Sequence, residues 1–162
     1  MPSLEVFTHI NAPQEICFRL ALSVDLHTVS TQKTQETIVA GVKTGVLQLG
    51  ESVTFRARHF GVWQTLTSKV TEMHAPLYFC DEMQKGAFKW MRHEHHFRSE
   101  GGITIMRDVF AFESPLGWLG RVADVVLKPY LQRFLVERGD IIRHFAETEE
   151  WRKVVPLGAV GE

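Results

Sequence analysis

The chain has 162 residues, of which 44% are hydrophobic and 23% charged, with 18 Lys and Arg against 19 Asp and Glu. A chain this size buries roughly 70% of the surface that its unfolded form exposes, so one globular domain can form without metal or disulfide staples and still spare interior volume for a ligand. The formal charge of -1 excludes a phosphate-backbone binder, because counterion release requires a concentrated excess of Lys and Arg, and nucleic acid is not an expected partner.

Leu4 to Ile10 reads as a short strand that stops at Asn11. Asn11 is placed to cap a helix carrying Pro13 in its first turn, with Ile16, Cys17, Leu20 and Ala21 on one face. The most apolar stretch near the amino terminus, Ile16 to Val24, contains Arg19 and follows Glu15. It resembles neither a secretion signal nor a bilayer span, and the expectation is a cytoplasmic protein without an integral membrane segment. A second short helix follows around Asp25 to Ser30.

From Thr34 to Phe112 the chain is rich in Val, Thr, Ile, Phe and Trp. It is broken at Gly41 to Gly50, Gly61, His74 to Pro76, Lys85-Gly86 and Glu100-Gly101-Gly102. This predicts about six strands joined mainly by hairpins. The Gly41 to Gly50 segment lacks the Lys-Ser/Thr ending of a phosphate loop and reads either as an apolar flap over a pocket mouth or as a hairpin end. After Ser114-Pro115, a cap and first helical residue by pattern, Leu116, Leu119, Ala123, Val126, Tyr130, Phe134, Ile141 and Phe145 recur at helical spacing. Pro129 is expected to kink or split this helix. The part from there to about Glu150, at about 1.5 Å per residue, is long enough to cross a sheet. Cys17 and Cys80 have no metal-ligand spacing and read as buried free thiols. Grouped strands with a helix laid over one face make an α+β domain.

Within this order, Ile10-Asn11-Ala12-Pro13-Gln14-Glu15-Ile16-Cys17-Phe18 resembles the opening signature of the SRPBCC superfamily, the START-like or helix-grip proteins. Phe79-x-Asp81-x-Met83, Gly86-Ala87-Phe88, His93-x-His95-His96-Phe97, Asp108 and Ser114-Pro115-Leu116-Gly117 are similar to an uncharacterised bacterial branch of it. The resemblance implies a curved antiparallel sheet of about six or seven strands wrapped around a long C-terminal helix. It also implies a single START-like ligand-binding domain over residues 1–150, a tail at 151–162, and a cavity for a lipid, quinone or polyketide-like molecule. A minority of such proteins are enzymes, aromatase/cyclases among them, so function has to be argued from the site.

The most informative segment is the hairpin Met91 to Phe112. A turn centred on Glu100-Gly101 sets Phe97 opposite Thr104, His95 opposite Met106, His93 opposite Asp108 and Met91 opposite Phe110. Alternation then assigns Met91, His93, His95, Phe97, Met106, Asp108, Phe110 and Phe112 to the concave face, leaving Arg92, Glu94, His96, Arg98 and Arg107 outside. A dry core does not accept two histidines and an ionised aspartate without partners. Three chemistries fit: a two-His-one-carboxylate metal site from His93, His95 and Asp108; a general base His93 oriented by Asp108; or a hydrogen-bonded pair lining a pocket. The last is our reading, with no metal or cofactor expected, no catalytic residue assigned, and His93 and Asp108 as candidates should the protein be a cyclase or dehydratase. Asp81, Met83 and Arg138 are candidates for the same space, with Trp63, His59 and Phe60 as aromatic wall and Gly117-Trp118-Leu119-Gly120 as a facing rim. The expected partner is a hydrophobic small molecule, with docking of another protein as an alternative. Oligomeric state is open.

Overall fold

The structure is a computed structural model and describes residues 2–155. Strand β1 (Ser3–Ile10) leads into helices α1 (Gln14–Leu22) and α2 (Val24–Ser30). Six strands follow: β2 (Thr37–Gly41), β3 (Ser52–His59), β4 (Val62–His74), β5 (Tyr78–Lys85), β6 (Trp90–Glu100) and β7 (Ile103–Glu113). Helix α3 (Trp118–Glu147) and a short 3-10 turn (Glu149–Lys153) complete the chain. All seven strands form one antiparallel sheet in the order β1-β7-β6-β5-β4-β3-β2, so the meander closes by bringing β7 back beside β1. This is the α+β helix-grip architecture, with the curved sheet holding α3. No helix among the described residues is long and apolar enough to cross a membrane.

Helix α1 is tied to the sheet by polar contacts at its start. Gln14 Nε2 donates to the carbonyls of Pro76 (3.0 Å) and Phe97 (3.1 Å), and the buried Thr104 hydroxyl donates to Ala12 O (2.7 Å). Phe18 then packs edge-on against Phe79 (5.6 Å between ring centres) and Phe97 (5.4 Å), closing one end of the concave face. Asn11 does not cap this helix. Pro13 occupies the cap position, and the Asn11 N–H donates to Glu147 Oε1 at the far end of α3. Ser114 likewise does not cap α3, which starts after Gly117; its hydroxyl bonds Asp124 instead. Cys17 and Cys80 are free and buried, and burial pushes both thiols up to about 11.

Helix α3 is a single element of 30 residues with Pro129 inside it. The proline removes the bond to the Val125 carbonyl, and Val125 is 75% exposed, so water can serve that oxygen and the helix is not split. The carboxyl half does the packing: Leu135, Gly139, Ile142 and Ala146 are buried, whereas Trp118, Val122, Val125 and Val126 are exposed. Trp151, Val154 and Val155, in the segment read from sequence as a tail, are buried in the main core; residues 156–162 lie outside the described residues.

Helix α3 approaches the sheet closely at Gly139. A Cβ there would sit 2.4 Å from Thr8 Oγ1, and Thr8 is itself buried in β1. Gly139→Ala should therefore lower stability by about 1–3 kcal/mol through overpacking, although alanine is the better helix former by about 1 kcal/mol. In a Thr8→Ala background the same substitution should instead raise the thermal midpoint. Denaturation of the four-member cycle checks both signs.

Candidate functional site

Between the concave face and α3 lies a cavity of about 400 Å³. Its apolar wall includes Phe55, Ala57, Leu66, Phe88, Leu127 and Leu131, and its mouth is bordered by Phe60, Leu116 and Leu119. One polar group lies on the sheet side, where β4, β5 and β6 present Ser68, Asp81, His93 and His95, backed by Asp108 of β7, with Arg138 reaching in from α3; other polar residues, His27, Glu36, His59, Gln64 and Tyr130 among them, line the cavity elsewhere.

The strand register explains this grouping and corrects the expected hairpin. The turn of β6 and β7 is Gly101-Gly102, with Glu100 opposite Ile103, and both glycines take positive φ (59° and 82°), the pair of left-handed residues that a tight two-residue hairpin needs. Each residue therefore faces a partner two positions beyond the one expected: Asp108 opposes His95 and Phe110 opposes His93. A shift of two leaves every side chain on its assigned face. His93 reaches Asp108 diagonally, with Nε2 3.0 Å from Oδ1. On the other side β5 sets Asp81 directly opposite His93 and Phe79 opposite His95.

His95 is the hub of the group. Its Nε2 lies 2.8 Å from Asp81 Oδ1, and its Nδ1 approaches Asp108 Oδ1 to 2.9 Å. That second contact lies off the N–H direction, which leaves Nδ1 without an aligned hydrogen bond. One face of the ring stacks on Phe79 (4.1 Å, 13°), and His93 lies 3.8 Å away between ring centres. Ser68 Oγ donates to Asp81 Oδ2 (2.7 Å). Arg138 donates from Nη2 to Ala21 O (2.9 Å) and holds Nη1 at 3.9 Å from Asp108 Oδ1, so it faces the interior.

The charge states follow from these contacts. Burial alone would raise both carboxylates, but hydrogen bonds and charge from the histidines outweigh it and hold Asp81 and Asp108 well below the usual carboxylate range. Burial also opposes a charged His95, yet bonds to Asp108 and Asp81 raise its pKa above the ordinary imidazole value. For His93, burial and then the neighbouring His95 charge dominate over Asp108 and lower it. His95, between two carboxylates, therefore takes up a proton more readily than a free imidazole, and His93 less readily. With Asp108 ionised, His93 donates from Nε2, and its Nδ1, which has no hydrogen-bond partner among the described residues, carries a lone pair.

Of the residues expected in the site, Asp81, His93, His95, Phe110 and Arg138 line the cavity. Asp108 is only 1% exposed and stands behind the histidines. Phe97 and Met106 are on the concave face but covered by α1, within the core built around Phe18. Met83 packs against a second cluster with Leu66 and Phe88. Trp63 does not belong to the site. The β3–β4 turn is Phe60-Gly61, both at positive φ, with His59 opposite Val62. That parity sends Gln64, Leu66 and Ser68 inward and Trp63 outward, where Arg56 lies over its ring at 4.8 Å. The same turn, read for parity, would have found Ser68. Trp118 is 72% exposed, while its neighbours Leu119 and Gly120 do line the cavity. The Gly41 to Gly50 segment is stapled to the helices: Leu47 N donates to Leu22 O (3.0 Å) and Gly45 N to Asp25 Oδ2 (3.0 Å). At the outer end, Tyr130 Oη and His59 Nδ1 share a hydrogen bond of 2.7 Å, and burial raises the phenol and lowers the imidazole.

No protein-family model matches the chain, and no curated protein matches it. Solved structures do. TTHA0849 from Thermus thermophilus superposes with a TM-score of 0.70 at 15% identity, covering 87% of this chain and 97% of that one. Ginseng major latex-like protein 151 from Panax ginseng gives 0.65 at 14% identity, with 91% and 98% covered. Protein Ms6760 from Mycobacterium smegmatis gives 0.65 at 17%, with 88% and 89% covered. At these identities the likeness is one of fold, and it matches the helix-grip arrangement over nearly the whole chain.

The charge states give a pH signature. Because its folded pKa is raised, the contribution of His95 to stability is complete below its ordinary value of about 6.5 and is lost as pH rises through the folded value. Asp81 and Asp108, both lowered, contribute fully above about 3.9 and lose that contribution as pH falls through their folded values. His93, lowered, opposes folding increasingly below about 6.5. Stability by chemical denaturation should therefore peak near pH 6.5, and His95→Gln should flatten the alkaline side. NMR titration of chelator-treated protein should find His95 above and His93 below the ordinary value, with the His95 midpoint falling in Asp108→Asn.

Proposed function

We propose that the protein binds one amphipathic small molecule, its apolar body between the sheet and α3 and its polar end at His93, Asp81 and Arg138. The observation that carries this reading is the cavity of about 400 Å³, lined largely by apolar side chains, in which Asp81, His93, His95 and Arg138 form one compact polar group. That volume and that division between apolar lining and a few oriented polar groups suit a lipid, quinone or polyketide-like ligand. The fold is shared with the major latex-like protein named above, which adds a scaffold able to enclose such a space and says nothing of the ligand itself.

Burial of the apolar body supplies the attraction, at roughly 25 cal/mol per Å² removed from water. The polar wall supplies orientation. His93 Nδ1 accepts from a hydroxyl, and the Arg138 guanidinium, turned inward against Asp108, attracts a carbonyl or carboxylate oxygen. A second reading, a cyclase or dehydratase in which His93 takes a proton from the ligand while Asp108 orients the ring, is favoured by the 3.0 Å bond between them. A docking module is favoured less: its exposed apolar patch is present on α3, but it calls for a filled interior.

Displacement of a fluorescent fatty acid tests the reading. Wild-type protein should bind one equivalent, and Ala123→Trp, which places an indole in the mouth, should weaken binding about tenfold or more. Absence of saturable binding, or binding indifferent to the indole, refutes it. His93→Gln separates the two chemistries: a carrier changes affinity alone, whereas an enzyme keeps binding and loses turnover.

A further inference from the structure

We propose that Asp81, His93 and His95 form a binding site for one divalent transition-metal ion on the inner wall of the cavity, with Asp108 as the carboxylate that orients both histidines. The site shares His93 and Asp81 with the polar end of the proposed ligand site, so in the metal-bound protein the ion, and not the ring nitrogen, meets the polar end of the ligand, while the test with metal alone does not depend on that ligand. Such a site reverses the expectation of a metal-free protein, for a geometric reason. The sequence reading offered Asp108 as the third ligand, and the structure places Asp108 behind the histidines and puts Asp81 in front of them.

One ring nitrogen of each histidine and one carboxylate oxygen of Asp81 lie within 4.8 Å of one another. Metal bonds of about 2.0–2.1 Å set tetrahedral ligand atoms about 3.3 Å apart. Closing the set therefore requires the donor atoms to draw together by up to about 1.5 Å. The backbone is already suited to it: Asp81 and His93 are directly paired across β5 and β6, and His95 follows His93 on the same face. Two imidazoles and a carboxylate with open positions toward a cavity make the donor set of zinc and non-haem iron(II) centres.

The surroundings supply what a bare cluster of donors lacks. Asp108 Oδ1 lies 3.0 Å from His93 Nε2 and 2.9 Å from His95 Nδ1, so a single buried carboxylate faces one nitrogen of each ring. That leaves His93 Nδ1 and His95 Nε2 to bind. A carboxylate hydrogen-bonded to the far nitrogen of a ligating histidine fixes its tautomer and raises its basicity. His93 Nδ1 has no partner among the described residues, and His93 lines the cavity. His95 Nε2 faces Asp81 Oδ1 at 2.8 Å, and the ion takes the place of the proton that this pair shares. The Nδ1 of His95, buried without an aligned hydrogen bond, acquires one when the ring turns to ligate. Ser68, bonded to the other oxygen of Asp81, keeps that carboxylate turned toward the histidines.

Charge selects what completes the shell. The two carboxylates balance a divalent ion, and Arg138, 3.9 Å from Asp108, leaves the group positive by one charge. The open position on the cavity side therefore suits an anionic oxygen donor, hydroxide or a carboxylate.

The test uses the metal alone. Chelator-treated full-length protein is titrated with ZnCl2 by calorimetry and with CoCl2 by visible absorption. One equivalent of each ion should bind, about a hundredfold more weakly in Asp81→Asn and His95→Gln. In Asp108→Asn the affinity should fall about 10–100-fold at unchanged stoichiometry. In wild-type protein Co2+ should shift and broaden the ring resonances of His93 and His95, a readout that stands even where a variant fails to fold. Failure to bind zinc, equal affinity in folded His95→Gln, or Co2+ effects confined to the other histidines would overturn the proposal.

Discussion

The buried carboxylate of Asp108 is the constraint around which the sheet side of this molecule is arranged. An ionised acid at 1% exposure costs several kcal/mol unless its neighbours replace water. Three of them do: His93 by a hydrogen bond, His95 by contact at 2.9 Å, and Arg138 from the opposite layer at 3.9 Å. Two come from β6 and one from α3, so satisfying one carboxylate ties the register of β6 on β7 to the rotation of α3 above them. The polar wall of the cavity is thus a condition for the fold as well as a feature of the site.

The same group explains why the cavity has two ends of different character. Toward α1 the concave face is filled by Phe18, Phe79, Phe97 and Met106, which pack as an ordinary core. Toward the β3–β4 turn it borders the cavity, which Phe55, Ala57, His59 and Phe60 line. The ionic group lies where these regimes meet, close enough to the core to be rigid and open enough for His93 and Asp81 to face empty space.

Much of this was legible in the sequence because alternation is robust to small errors of register. The hairpin turn is Gly101-Gly102 rather than Glu100-Gly101, which moved every cross-strand pairing by two, yet two is the period of a strand and no side chain changed face. The concave residues of β6 and β7 were therefore assigned correctly although Asp108 opposes His95 and not His93. Trp63 fell outside this protection. It was placed by residue type, not by parity from the Phe60-Gly61 turn, and an aromatic on the convex face served by Arg56 looks no different in sequence from one inside. Asp81 and Arg138 needed the third dimension. Bulges in the β4–β5 pairing break the count from one strand to the next, and the orientation of a helical arginine depends on how the helix is laid down. The continuity of α3 through Pro129 was likewise hidden, because it depends on solvent reaching the Val125 carbonyl.

The uneven seating of α3 has a mechanical consequence. Its carboxyl half is locked where Gly139 meets Thr8 and where Leu135, Ile142 and Ala146 are buried, while most residues before Pro129, Trp118, Val122, Val125 and Val126 among them, are exposed, with Gly120 and Leu127 as the inward contacts. Local opening is least costly where little apolar surface is buried. The helix is then a cantilever, clamped along its carboxyl half. Arg138 belongs to the clamped arm, so its place over Asp108 is set by the buried half of the helix and not by the exposed one.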